Sequence, residues 1–126
     1  MILLPRRDGR LLFIRRGPSG PRPGYWSPPS GRIAPGERPE ETVRREALEE
    51  LGIEVEPLAE IWQSQSDDGR FRLRWWLVRT DASPRAASPE VAELAWVAPS
   101  ELWRLSPHFP EHEEVLARIA GELFRP

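Results

Sequence analysis

The sequence predicts an α/β fold: a single domain over residues 1–126 in which a mixed β-sheet is flanked by helices. Three observations carry this. Short apolar or alternating runs of strand length recur along the chain, set apart by Asp-Gly turn signals. Residues 39–51 read as one amphipathic helix with a clear start and stop, and the C-terminal seventeen or so residues read as another. Strands, helix, strands, helix, in that order, pack as a mixed sheet with helices on its faces.

Taken in order, residues 2–4 and 11–14 are apolar runs with Asp8-Gly9 between them, which predicts a hairpin. The stretch "PSGPRPGYWSPPSG" is too rich in proline for helix or central strand and is expected to be loop. Tyr25 and Trp26 in its middle suggest a loop folded against something. In the helix, Pro39 suits the first turn, Glu40 and Glu41 complement the positive end of the dipole, and Gly52 is a C-terminal stop. Val43, Ala47, Leu48 and Leu51 form its apolar stripe. "IEVEPLAEIWQSQS" and "RFRLRWWLVRT" read as two strands joined by an Asp68-Gly69 turn. "VAELAWV" is a further strand and "PSELWRL" a helical turn. The closing helix offers Phe109, Val115, Leu116, Ile119 and Leu123 for packing.

Composition narrows the function classes. A chain of 126 residues, 39% hydrophobic, is enough to bury one core. A net charge of −2 gives no field for a polyanion, so nucleic acid is not the expected partner. The absence of cysteine excludes a disulfide scaffold and thiolate zinc sites. His108 and His112 are spaced i, i+4 but lack an evident third ligand, and are read as surface residues. No apolar run approaches the ~20 residues of a membrane span, and "MILLPRRDGR" reverses the secretory charge pattern. The expectation is a cytoplasmic protein without a membrane partner.

The stretch "GERPEETVRREALEELG" holds six glutamates. At about 100° per residue, Glu49 and Glu50 fall within about 60° of Glu46, on an edge separate from the apolar stripe. Like charges one turn apart cost only about 0.2–0.5 kcal/mol on an exposed helix, so spacing alone leaves a solvated face and a metal site both open. In a cleft the repulsion would grow as the effective dielectric falls. A hard divalent cation would then compensate, since all the ligands are oxygens.

The residues before the helix shift that balance. Gly31 is followed after five residues by Glu37, after seven more by Arg45-Glu46-Ala47, and then by Glu49-Glu50 and Gly52-Ile53. This resembles the Nudix box, residues 31–53, the signature of the Nudix hydrolase family. "DGRLLFIRRG", "GYWSPPSGRIAPGE" and "AELAWVAPSEL" resemble the family's flanking segments, with Ser30 where a glycine is usual. The resemblance implies a Nudix-type α/β/α sandwich and Mg2+- or Mn2+-dependent attack of water on a diphosphate linkage, usually in a nucleoside diphosphate joined to another group. It implies metal binding by Glu46, Glu49, Glu50 and the Ser30 carbonyl. Glu49 either binds metal or holds or deprotonates the water. Gly31, Glu37, Arg45 and Gly52 take structural roles in the box. The family's general base varies; Glu90 and Glu93 are the candidates here, with Glu93 preferred. The alternatives are a non-catalytic nucleotide-binding module and an RNA 5′-pyrophosphohydrolase. Dimers are common in the family, which leaves a homodimer open.

Substrate choice lies outside the box. Arg15 and Arg16 end a strand beside the proline-rich loop and could meet phosphates. Tyr25, Trp26 or Trp62 could stack on a base or sugar, or simply pack within the protein.

Overall fold

In the computed structural model, which describes residues 1–124, the strands are β1 (Ile2–Leu3), β2 (Leu11–Arg16), β3 (Trp26–Ser27), β4 (Glu56–Gln65), β5 (Arg72–Arg79) and β6 (Val91–Val97). The helices are α1 (Pro39–Leu51) and α2 (Pro110–Leu123), with a short 3-10 turn at Pro99–Arg104. The strands form two three-stranded sheets, ordered β1-β5-β4 and β3-β2-β6. Pairing is antiparallel except for β1 beside β5, so the sheet structure is mixed as expected.

Alternation along the strands builds the layers. Leu12 and Ile14 of β2, Leu94 and Trp96 of β6, and Trp76 and Val78 of β5 pack with Val43, Ala47 and Leu51 of α1. The intervening residues, Leu11 and Phe13, Ala95 and Val97, and Trp75 and Leu77, pack with Val115, Leu116 and Ile119 of α2. Each sheet thus gives one face to each helix, and the result is an α/β/α sandwich.

Three expectations need correction. The turn at Gly9 forms, with φ of 84°, and Leu12 N–H donates to the Leu4 carbonyl at 3.1 Å. Beyond that point the predicted hairpin opens, because Ile2 and Leu3 leave to pair with Trp76 and Leu77 of β5. Ile2 joins one core cluster and Leu3 the other, so neither is free to face solvent beside β2. Leu48 is 55% exposed rather than part of the α1 stripe; it lies about 150° around the helix from the centre of the buried arc. His112 is 3% exposed rather than a surface residue. It shares the 3.6-residue periodicity of Val115, Leu116 and Ile119 and sits on the buried face of α2.

Both ends of α1 are tied down. Glu41 reaches back to accept the Arg38 N–H at 3.2 Å, which satisfies a donor the helix start would leave bare. Gly52 adopts φ of 67° as a left-handed C-cap. The 80–90 loop then docks on that end, with Arg85 N–H donating to the Leu51 carbonyl and Ala87 N–H to the Glu50 carbonyl, each at 3.0 Å.

Candidate active site

A cleft of about 720 Å³ opens between the two sheets, lined in part by Arg16, Ser30, Gly31, Glu46, Glu50 and Glu90. The size suits a nucleotide. Of the three carboxylates predicted on one edge of α1, the structure brings two to this cleft. Glu46 and Glu50 are buried on its wall, while the Glu49 side chain is 57% exposed and turned toward Arg45. The split follows helix geometry: Glu46 and Glu50 border the apolar arc, and Glu49 lies beyond it.

Arg45 holds the box together. Its Nε and Nη2 clasp both oxygens of Glu37 at 2.7 and 2.9 Å. Nη2 also donates to the Arg32 carbonyl at 3.0 Å, and Nη1 to Glu46 Oε1 at 2.7 Å and Glu49 Oε2 at 3.4 Å. Glu37 further accepts from the Thr42 hydroxyl at 2.6 Å and the Ala34 amide at 3.0 Å. Arg45, then Thr42 and Ala34, hold the Glu37 carboxyl down to about 2. The loop at residues 31–38 is thereby strapped to α1. Arg45→Lys keeps the charge but loses the planar fork. The expected outcome is a turnover loss of about 10- to 100-fold with a folded protein, checked by steady-state kinetics beside circular dichroism.

Burial, followed by the charges of Glu46 and Glu90, pushes the Glu50 carboxyl up to about 8, with Arg16 opposing. Its Oε2 is buried without a hydrogen-bond partner among the described residues. Burial likewise raises Glu46, against the pull of Arg45. Gly31 lies so close to Glu46 that a β-carbon there would overlap its carboxyl group. Among the described residues no three His, Asp or Glu side chains converge as a ready metal site. A hard cation nevertheless fits the residues present: two crowded carboxylates, one with an orphaned oxygen, in an all-oxygen environment.

The other predicted site residues divide by strand alternation. Arg16 faces the cleft, over the Phe109 ring at 4.9 Å. Arg15, its neighbour, points to the opposite face and pairs with Glu93 at 2.8 Å. Glu93 is also Arg15's partner in the β2–β6 register. Neither lines the cleft, which leaves Glu93, preferred as base, and Arg15, read with Arg16 at phosphate, outside it. Glu90 does line it. Gly17 makes room for this residue's loop, since a β-carbon there would overlap the Pro89 carbonyl, and Gly17 N–H donates to the Glu90 carbonyl at 2.9 Å. Trp26 is not among the cleft-lining residues either and is buried with Phe13 and Leu105 in the α2-side core. Tyr25 packs against Phe109 at a 44° tilt, with centroids 5.0 Å apart, and Trp62 lies beneath Arg118 at 5.9 Å. Sequence reasoning missed Glu111 and His112, which line the far end of the cleft. The helical spacing of His112 from Val115, Leu116 and Ile119 was a usable signal for the histidine.

Residues 1–119 match the family model of the NUDIX domain. The chain belongs to the NUDIX family. An RNA pyrophosphohydrolase of Erythrobacter litoralis is 33% identical, over 96% of this chain and 86% of its own. An isopentenyl-diphosphate Delta-isomerase of Kocuria rhizophila is 35% identical over 75% of this chain, and the match spans only 58% of that relative's length. The E. coli ORF135 protein superimposes with a TM-score of 0.77 at 29% identity, covering 99% of this chain and 89% of its own. The MutT protein of Methanosarcina mazei, at 23% identity, shares the fold with a TM-score of 0.81, over 98% of this chain and 92% of its own. The NUDIX chain is thus an enzyme of the hydrolase class that acts on phosphorus-containing anhydrides. No helix among its described residues is long and apolar enough to cross a membrane.

Proposed function

We propose that this NUDIX chain hydrolyses the diphosphate linkage of a nucleoside diphosphate joined to another group, with Mg2+ or Mn2+ held by Glu46 and Glu50 and the Ser30 carbonyl. The observation that carries this reading is the orphaned, buried Glu50 oxygen beside Glu46 on the wall of a nucleotide-sized cleft. A cation bound there would neutralise the diphosphate and lower the pKa of bound water.

The chain's own groups supply the rest. Arg16, in the same cleft, places a permanent positive charge where it can hold a phosphate oxygen. The water oxygen bonds to phosphorus, the bridging P–O bond breaks, and its electron pair leaves with the departing phosphate. The proton released by water passes to Glu90, the cleft carboxylate outside α1 whose charge acts on both Glu46 and Glu50. Glu49 is held by Arg45 at the edge of the site.

Two substitutions separate the base candidates. Glu90→Gln is expected to lower kcat by about 10²-fold or more, whereas Glu93→Gln leaves it within about two-fold because it breaks only an exposed ion pair. Equal effects would sink the assignment of Glu90. The reaction itself is tested with nucleoside triphosphates, nucleotide sugars, dinucleoside polyphosphates and coenzymes, each with Mg2+ and with Mn2+. No turnover anywhere would move the chain to a binding module. The 33% identity to an RNA pyrophosphohydrolase over 96% of the chain favours one second reading, removal of pyrophosphate from RNA 5′ ends. A 5′-triphosphorylated RNA therefore belongs in the same panel.

A further inference from the structure

The cleft carries polar groups that diphosphate chemistry does not use. At its α2 end, Glu111 Oε1 and His112 Nδ1 are both shielded from solvent and without a hydrogen-bond partner among the described residues. The two residues are consecutive in the first turn of α2 and both line the cleft. The His112 ring is fixed between Phe109, at 4.9 Å and 35°, and the edge-on Trp75, at 5.1 Å and 86°. Its burial and the nearby charge of Arg16 hold it neutral, with a pKa pushed down to about 4. Buried polar atoms are nearly always paired, and leaving two adjacent ones bare weakens the free protein. Such a cost is offset when a ligand supplies the missing partners.

The chemistry of the two groups says what that ligand part must be. A carboxylate only accepts hydrogen bonds, and a neutral imidazole offers one acceptor and one donor. A carboxylate repels phosphate, so this end of the cleft is not a second phosphate site. It suits an uncharged group rich in N–H donors. In a nucleoside diphosphate compound those donors sit on the base. Arg22 and Asp67 form an ion pair that joins the 17–25 loop to the β4–β5 turn, and both residues line the cleft. The Arg22 guanidinium lies 5.6 Å over Phe109, the ring that packs against His112. We propose that Glu111 and His112 are the specificity-determining pair of this cleft and read the amino edge of a nucleobase, as in guanine or cytosine nucleotides, once Arg22 leaves Asp67.

This deepens the reading of the cleft as a nucleotide site and rests on it. The test is equilibrium binding of GMP, IMP, CMP and UMP by calorimetry, to the wild type and to Glu111→Gln. Turnover of the matching triphosphates with Mg2+ is measured in parallel. GMP and IMP differ only by the 2-amino group; CMP and UMP exchange an amino group for a carbonyl. The wild type is expected to bind the amino-bearing member of each pair about ten-fold more tightly, as a hydrogen bond to a charged group supplies. In Glu111→Gln the preference is expected to fall to within about two-fold, since an amide both donates and accepts. A wild-type preference below about two-fold in both pairs, or an undiminished preference in the variant, overturns the proposal. The wild-type ratios decide it even if the variant does not fold. Turnover without base preference overturns this inference and leaves the hydrolase reading standing. Amino-selective binding without turnover of any nucleotide supports the subsite and overturns the hydrolase reading.

Discussion

Glu50→Gln is expected to lower metal-dependent turnover by about 10²-fold or more while leaving the fold intact. The carboxylate is 4% exposed, one turn along α1 from Glu46, whose charge helps to raise it. Glutamine fills the same volume and keeps a carbonyl, so packing in the α1 core changes little. What disappears is the negative charge that a cation needs. The same substitution also changes how stability depends on pH. With the Glu50 pKa at about 8 in the metal-free folded protein against an unfolded value near 4.3, the folded state keeps a proton that the unfolded state has lost. Stability contributed by this site is therefore complete below the unfolded pKa and falls as pH rises toward 8. Metal-free wild type should melt at progressively lower temperature across that window, and Glu50→Gln should melt with a flatter profile. Cation binding releases the proton, so apparent Mg2+ affinity should climb with pH until about 8. A wild-type melting profile no steeper than that of the variant would show that Glu50 does not keep its proton in the folded protein, and a Glu50→Gln protein with wild-type turnover would sink its assignment to the cation.

The elements of this fold were legible where local rules decide them. Residues 39–51 became α1 with both ends as read, because proline, early glutamates and a terminal glycine specify a helix without help from elsewhere. The β4–β5 hairpin and β6 followed from alternation and turn chemistry for the same reason. Failures came where partners distant in sequence decide. Ile2–Leu3 left the predicted hairpin because β5 and both cores claim it. The roles of Arg15 and Arg16 separated because adjacent strand residues face opposite ways, which the sequence implies, but which face holds the cleft depends on how two sheets meet. The box residues Gly31, Glu37, Arg45, Glu46 and Glu50 were named from a fixed spacing. Glu90 could not be ranked in that way. Its placement depends on the 80–90 loop giving backbone N–H groups to the last carbonyls of α1, and no local pattern announces that docking.

Gly31→Ala is expected to be nearly as damaging as loss of a carboxylate, although it removes no functional group. A β-carbon at this position would overlap Cγ, Cδ and Oε1 of Glu46. Glu46 has little room to retreat. Its Oε1 is fixed by Arg45 at 2.7 Å, and Arg45 is itself clasped by Glu37 and the Arg32 carbonyl. Either Glu46 swings out of the cleft or the 31–38 loop lifts from α1. The first displaces a carboxylate assigned to the cation, and the second breaks the Arg45 network and moves the Ser30 carbonyl. Overpacking of this kind costs about 1–3 kcal/mol of stability, and a displaced ligand costs about 10²-fold or more in rate. The two routes differ in a measurable way. If Glu46 alone moves, the double variant Gly31→Ala, Glu46→Gln is no slower than Glu46→Gln, because the alanine has nothing further to displace. If the loop lifts, the losses add in free energy. A Gly31→Ala protein with wild-type turnover and wild-type melting temperature would show that Glu46 does not need the position this backbone gives it.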